Sequence, residues 1–512
     1  MPGAVTQKLN GHGAMAWLEF VRREPAKVLA AILVIHLVVW TVLPILVCAN
    51  LQLDLVEDLA LGKEWQLGYW KHPPLPWWLA DLAYRIVGQV EVVYVLGPLA
   101  IVATLYTVWL LAREVAGPLE ALIAVGVLEG IHFYNFSAVK FSHDQVQLPF
   151  WALTGLFVYR AMIKARSCDW LVAGVMLALC FWSKYAAIVL AASIGLFLLF
   201  DPLARRVWRT PGPYLMALAF AVAIAPNAWW LVETGFLPFR YVEARAGIAA
   251  HWYDLIVFPL HWIAGALLSL IPAIGLLVLL YWGRKPAPTS IRDEHAAFAR
   301  RYVSMLAIGP FAVTTLVALL SGRLPVTMWA YPFWSFAPLA VLLWLGPAAD
   351  DRRLRAFGIG FITLFVAWPL MYIAVELFEP LVRNRPKATN FPGKLLAETV
   401  TRAFREKTGA PLVYIGGEEF LSNNVAVYSS DRPHVMVHGN PALSPWIDLD
   451  DLRRRGAVFI WYAHEVEKPP KEPPLEGVFA EAEIQPPLVL QRLMRGAGLK
   501  DYIGYAILTP RP

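Results

Sequence analysis

Charge is scarce in this chain. Only 16% of its 512 residues are Asp, Glu, Lys or Arg and 58% are hydrophobic, whereas a soluble domain has about 25% charged and about 45–50% apolar residues. That shortage excludes a cytosolic enzyme with a peripheral anchor and a disordered tail protein, and leaves an integral membrane protein. Cysteine is scarcer still. Cys48, Cys168 and Cys180 are an odd count with no CxxC spacing, and they lie in or beside apolar runs. A disulfide framework and a thiolate metal site are excluded, and the three are expected to be packing residues. Signature loops are missing as well: there is no Walker loop, no GxGxxG, no HExxH and no internal repeat. Nucleotide-driven transport and zinc hydrolysis lose their usual basis. The first apolar run is too long for a cleavable signal and has no small-residue cleavage site, so it reads as a retained first helix.

What the chain has in abundance is apolar windows of roughly 15–25 residues. They fall near 27–49, 91–112, 115–134, 145–163, 169–182, 186–200, 213–232, 255–282, 302–320, 331–346 and 357–378, which predicts a mainly α, polytopic helical bundle of about eleven spans. The 22 Trp and 39 Pro call for elaborate loops at the membrane interface. Alternate loops carry eighteen basic residues against eight, and Lys and Arg are retained on the cytoplasmic side. The N-terminus is therefore expected inside, and with an odd number of spans everything after about residue 380 is expected outside. The net charge of +6 is this topogenic bias plus attraction to anionic lipid head groups, not a nucleic-acid footprint. Beyond residue 380 the apolar runs stop. Short β-like runs at 412–415, 434–437 and 458–461 alternate with helical patterns at 393–407 and 447–455, as in a small α/β domain. The proline-dense stretch around Lys468 reads as a loop.

The most informative segment is the first outside loop, residues 50–90. At 100° per residue Asp54, Glu57, Asp58 and Glu64 fall within about 120° of arc, with Leu51, Leu53, Leu55, Val56, Leu59 and Ala60 over the rest. This is an amphipathic interfacial helix with its carboxylates on one face, a solvated polar face or an acidic site. Gly68-Tyr69-Trp70-Lys71-His72-Pro73-Pro74-Leu75 follows, with Trp77 and Trp78. It sets positive donors beside negative acceptors at the depth of a lipid phosphate. A second polar cluster joins the third and fourth spans and includes Lys140, His143 and Asp144; Lys140 also reads as a snorkelling anchor. Lys184 interrupts the run between the fifth and sixth spans. Arg240 and Arg245 lie in a long loop after the seventh, and Arg323 is the only charge in its loop. For each arginine, head-group anchor and phosphate ligand are equally open.

Asp54-Leu-Val-Glu57, Gly68 to Leu75 with its Lys-His-Pro-Pro-Leu element, His143-Asp144 and Ser183-Lys184-Tyr185 occur in the order and at the span boundaries seen in polytopic GT-C glycosyltransferases. Over roughly residues 27–380 the chain resembles the branch that includes protein O-mannosyltransferases, aminoarabinose lipid A transferases and the rhizobial galacturonosyltransferases of lipopolysaccharide. The resemblance implies two parts: a transmembrane glycosyltransferase domain over 1–380 with its catalytic loop at 50–90, and a periplasmic α/β domain over 381–512. It implies inverting transfer of a sugar from a polyprenyl-phosphate donor to a hydroxyl of a lipid, glycan or protein acceptor, at the outer face of the inner membrane. Asp54 takes the role of base, and Glu57 orients it or binds acceptor or sugar hydroxyls. Lys71 is the first candidate for the donor phosphate, then His72, Lys184 and Arg323. Asp58, His143, Asp144, Arg240 and Arg245 are candidates for sugar or acceptor. No cofactor is expected, with a divalent metal left open. The expected partners are the lipid-linked donor, the acceptor and membrane lipids, with no nucleic acid. A secondary transporter or flippase of a lipid-linked sugar is the alternative. It fits less well because transporters place ionisable groups near the midplane, usually with repeat symmetry, whereas these charges cluster at one interface.

Overall fold

Inside lipid a backbone N–H or C=O has only the protein to bond with, so long apolar runs become helices. The computed structural model, described for residues 16–245, 247–283, 293–346, 350–383, 386–463, 479, 481–493 and 499–511, follows that rule. Among the described residues, seven helices are long and apolar enough to cross a membrane: Pro25–Val47, Val90–Val115, His143–Lys164, Gly212–Glu233, Glu294–Ser321, Thr327–Leu345 and Asp351–Val382. The pair Asp254–Leu268 and Ile271–Tyr281, bent by 57°, makes an eighth. Three shorter apolar helices, Pro118–Leu128, Ser167–Ser183 and Tyr185–Phe200, occupy the other windows in which spans are expected.

The prolines are placed differently from expectation. Pro44, Pro149, Pro226, Pro310 and Pro369 lie inside the long helices, so the surplus is not confined to interfacial loops. Membrane helices tolerate it because neighbours and local adjustments re-satisfy the freed carbonyls. Of the cysteines, Cys180 is buried, Cys48 is half-buried against the Tyr372 hydroxyl at 3.4 Å, and Cys168 is exposed. Cys168 is thus no packing residue. It sits in the first turn of a helix that begins at the bundle surface.

Beyond residue 386 the chain forms a small sheet with helices. The strands run in the order His434–Val437, Tyr414–Gly417, Ala457–Tyr462, Lys500–Leu508 and Glu483–Ile484, with Leu488–Gln491 also on Lys500–Leu508. The first three are parallel and the rest antiparallel. The Glu419–Tyr428 helix makes the crossover between the first two parallel strands in sequence. Because side chains alternate along a strand, Ile415, Val435, Val437, Val458 and Ile460 enter one core while Tyr414, Met436, Ala457 and Phe459 enter another beneath Leu452. The first of these cores continues without a break into Leu55, Val56, Leu59, Tyr69 and Trp77 of the first loop. The stretch around Lys468 lies outside the described residues.

Candidate functional site

The loop that follows the first span is built around a ten-residue helix, Leu53–Gly62. Leu55, Val56, Leu59, Ala60 and Leu61 are fully buried, so the helix is clasped between the spans and the C-terminal region; only Leu53 keeps a large apolar face exposed. At its end the backbone of the next helix, Leu75–Val87, comes so close that a Cβ on Gly62 would lie 2.2 Å from the Trp77 carbonyl oxygen. Glycine is what lets the two helices close. Between them the Tyr69 hydroxyl donates to the Leu61 carbonyl at 2.9 Å, and the Tyr69 N–H donates to the His72 carbonyl at 3.2 Å. That turn fixes Trp70, Lys71 and His72 against the carboxylate side of the helix. Asn227 of the Gly212–Glu233 span anchors the loop by donating to the Leu67 carbonyl at 2.7 Å.

The Lys71 ammonium lies 2.9 Å from Glu57 Oε2 and 2.7 Å from Glu419 Oε1, with the Trp70 ring centroid at 4.8 Å. Burial works against its charge, but the two carboxylates outweigh burial and hold the ammonium above the ordinary lysine range. Burial and then the neighbouring Glu419 raise the Glu57 carboxyl. Asp54, half-buried and without a hydrogen bond to any described residue, is pushed up to about 7, first by burial and then by Glu57; Lys140 and Lys71 pull the other way. Asp58 is 1% exposed and rises well above its usual 3.8 for the same reasons, burial first and then Asp54 and Glu57.

A second lysine stands across the site. Lys184 pairs with Asp144, which begins a helix whose N-cap is Ser142. Next to this pair the rings of His72 and His143 lie 3.9 Å apart, with Trp77 5.1 Å from His143. Burial, then Lys184 and Lys71, keep the His72 imidazole neutral far below its usual pKa. Several buried polar atoms here have no hydrogen-bond partner among the described residues: Glu57 Oε1, Asp58 Oδ2, His143 Nε2 and the indole N–H groups of Trp70, Trp77 and Trp78. Buried polar atoms are nearly always paired, so this cluster is chemically open.

The fold therefore brings Asp54, Glu57, Asp58, Lys71, His72, His143, Asp144 and Lys184 into one neighbourhood. Glu64 leaves it. The helix ends at Gly62, and Glu64 turns to His434 at 2.9 Å. The expected long loop after the seventh span is instead partly a helix, Leu237–Arg245. Its Tyr241 ring touches Trp70 at 5.2 Å and His72 at 5.6 Å, while Arg240 is exposed. The side chain of Arg245 lies outside the described residues. Arg323, half-buried, pairs through its backbone with Ile248 in a two-stranded ribbon. Among the described residues no three His, Cys, Asp or Glu side chains are grouped to share a metal ion.

Sequence reasoning missed Glu419 and His438. His438 Nε2 lies 3.8 Å from Glu419 Oε2, and its ring is 5.5 Å from Trp70. The signal for Glu419 was Gly416-Gly417 directly after an apolar run and before two glutamates. Gly417 has φ +113°, and a Cβ there would lie 2.1 Å from the Ile460 carbonyl oxygen. Only glycine makes this turn, which launches the Glu419–Tyr428 helix at the Lys71 site.

Residues 71–230 match the family described as dolichyl-phosphate-mannose-protein mannosyltransferase. Over 196 residues the chain is 29% identical to the lipid A galacturonosyltransferase RgtD of Rhizobium johnstonii, a match covering 37% of this chain and 39% of that protein's length. The fold is similar to that of ArnT from Cupriavidus metallidurans: the apo structure superposes with a TM-score of 0.60 at 11% identity, covering 95% of this chain and 99% of that one. The same protein bound to undecaprenyl phosphate gives 0.59 at 12%, covering 94% and 99%. The resemblance to GT-C glycosyltransferases of the protein-mannosyltransferase and ArnT type is borne out, and the chain is a multi-pass membrane protein.

Proposed function

We propose that this chain is an inverting glycosyltransferase that moves a sugar from a polyprenyl-phosphate donor to a hydroxyl of lipopolysaccharide, lipid A or a related envelope acceptor, at the outer face of the inner membrane. The observation that carries the reading is Asp54, a half-buried carboxyl that makes no side-chain hydrogen bond to any described residue and lies under the charges of Glu57, Lys140, Lys71 and Asp144. The RgtD-like match, the mannosyltransferase family match and the fold shared with a protein that binds undecaprenyl phosphate support it.

In this reading Asp54 takes the proton of the acceptor hydroxyl as the oxygen attacks the anomeric carbon from the face opposite the phosphate. A carboxylate whose pKa is near the working pH is suited to that proton transfer. The bond from the anomeric carbon to the phosphate oxygen breaks, and the charge goes to polyprenyl phosphate. That leaving group needs cations rather than a proton, and Lys71 supplies one, with Lys184 and Arg323 as further candidates. The neutral His72, with His143 and the indole N–H groups that bond no described residue, offers hydrogen bonds to the sugar. Arg240, on the same helix as Tyr241, is a further candidate for an acidic sugar or acceptor phosphate, as is Arg245 by its place in the sequence.

Two measurements test this together. Mass spectrometry of envelope glycans from a deletion strain is expected to show one missing sugar, which names donor and acceptor. Membranes containing the chain are expected to transfer that sugar from its polyprenyl-phosphate form to the acceptor lacking it. An unchanged envelope together with lipid translocation that needs no sugar transfer would instead establish a flippase.

A further inference from the structure

Lys71 has one positive charge and faces two carboxylates, at 2.9 and 2.7 Å, with side-chain exposures of 13% for the lysine, 12% for Glu57 and 17% for Glu419. Solvent screens such a group weakly. A donor phosphate at the same ammonium would be a third anion, so one carboxylate has to give way. The two are held unequally. Glu57 stands on the Leu53–Gly62 helix, whose apolar side chains are fully buried. Glu419 stands in the first turn of a helix that belongs to the C-terminal region, and its other oxygen already lies 3.8 Å from His438 Nε2.

Anchoring the C-terminal region does not require Glu419. Asn50 donates to Asn424 at 3.0 Å, the Leu51 N–H donates to the Tyr428 hydroxyl at 3.1 Å, and Lys63 donates to the Pro433 carbonyl at 2.5 Å. A continuous apolar core joins the same surfaces. The Glu419 to Lys71 contact is thus available for another task.

We propose that Glu419 is the exchangeable counter-ion of the donor-phosphate site: it holds Lys71 between turnovers, yields the ammonium to the donor phosphate by moving to His438, and returns to displace the polyprenyl-phosphate product. This rests on the reading of Lys71 as the phosphate ligand. The donor is a phosphodiester with one negative charge, whereas the product is a monoester that approaches two at neutral pH. The product binds an ammonium more tightly than the donor does, so a competing carboxylate matters most at release. Glu419 is a positioning residue in this scheme, since it acts on the substrate only through Lys71.

The test is binding of undecaprenyl phosphate to the purified full-length chain in detergent, beside steady-state transfer. Glu419→Gln is expected to bind undecaprenyl phosphate about tenfold more tightly, near 1.4 kcal/mol, and to show lower kcat with stronger product inhibition. Glu419→Asp restores wild-type behaviour. His438→Asn, which removes the alternative partner, is expected to weaken binding severalfold. A purely structural Glu419 would give looser binding on substitution, so equal or weaker binding by Glu419→Gln overturns the proposal. If that variant fails to accumulate, His438→Asn decides, and unchanged affinity there overturns it. Lys71→Met separates the two levels. Loss of binding in Lys71→Met without tightening in Glu419→Gln removes only the counter-ion role, whereas wild-type binding by Lys71→Met removes Lys71 from the phosphate site and this proposal with it.

Discussion

The two lysines of the site differ in how their charge is balanced. Lys184 has one carboxylate, Asp144, and both belong to the membrane bundle, with side-chain exposures of 8% and 11%. Asp144 lies in the first turn of the helix capped by Ser142, and Lys184 follows the last turn of Ser167–Ser183. Each charge therefore meets the helix end whose dipole favours it. Lys71 has two carboxylates, one from the first loop and one from a helix nearly 350 positions later in the chain. The first arrangement is neutral, local and fixed. The second carries surplus negative charge and joins two regions, so it is the one poised to exchange partners.

The largest expected effect comes from a carboxylate that feels a member of each pair. Asp54 lies under the charges of Glu57, Lys140, Lys71 and Asp144, and Asp54→Asn is expected to lower kcat by about 10²–10⁴. As a base, Asp54 works deprotonated. Its raised pKa therefore makes wild-type kcat/KM fall about tenfold per pH unit below about 7. The asparagine variant should lack that acid limb, and a limb of unchanged shape would assign the titration elsewhere. Next comes Asp144→Ala, which leaves the Lys184 ammonium buried without its carboxylate and is expected to cost about 3–5 kcal/mol, read as thermal unfolding in detergent. Glu57→Gln, by contrast, leaves Lys71 paired with Glu419 and should cost about 1 kcal/mol or less. Equal losses would erase the distinction between the two lysines.

Gly417→Ala acts on only one side of the comparison. Alanine at φ +113° with Ile460 in the way is expected to cost about 1–3 kcal/mol and to shift donor affinity by moving Glu419, with the Lys184 pair intact. Unchanged donor affinity in a destabilised variant would show that the turn does not set Glu419. The smallest effect belongs to the contact between the half-exposed His434 and the buried side chain of Glu64. His434→Gln, which keeps an N–H donor for that carboxylate, should change stability by about 1 kcal/mol or less and leave transfer rates alone.

Much of this was legible before the structure. Ten of the eleven apolar windows each hold one helix and the window at 255–282 holds a bent pair, because in lipid apolar length dictates helix. The strand runs at 412–415, 434–437 and 458–461 fall on Tyr414–Gly417, His434–Val437 and Ala457–Tyr462, where alternation between two cores imposes period two. The carboxylate arc of the first loop was legible as far as Asp58, since helical spacing fixes residues within a few turns. Glu64 was lost because the helix stops at Gly62, where the chain closes on the Trp77 backbone, and the residues beyond leave the helical arc. Glu419 left only the Gly416-Gly417 turn as a trace. Its helix is short, carries Ser422, Asn423 and Asn424 in its middle, and meets the first-loop helix from far along the chain as well as packing on its own neighbours. The roles of Arg240 and Arg323 were not decided by spacing, because a lone arginine in a loop belongs to no periodic face.

The continuous core shared by the first loop and the C-terminal region has a consequence in time. Leu55, Val56 and Leu59 leave the ribosome long before Leu421, Val425 and Val437, which cover them, and Asn50 waits 374 positions for Asn424. At about 5–20 residues per second that is tens of seconds during which the acidic loop is membrane-tethered but uncovered. The site is thus a late product of synthesis, completed only when the last region folds back onto the first loop. Until then the apolar face of the first loop has no cover from the C-terminal region.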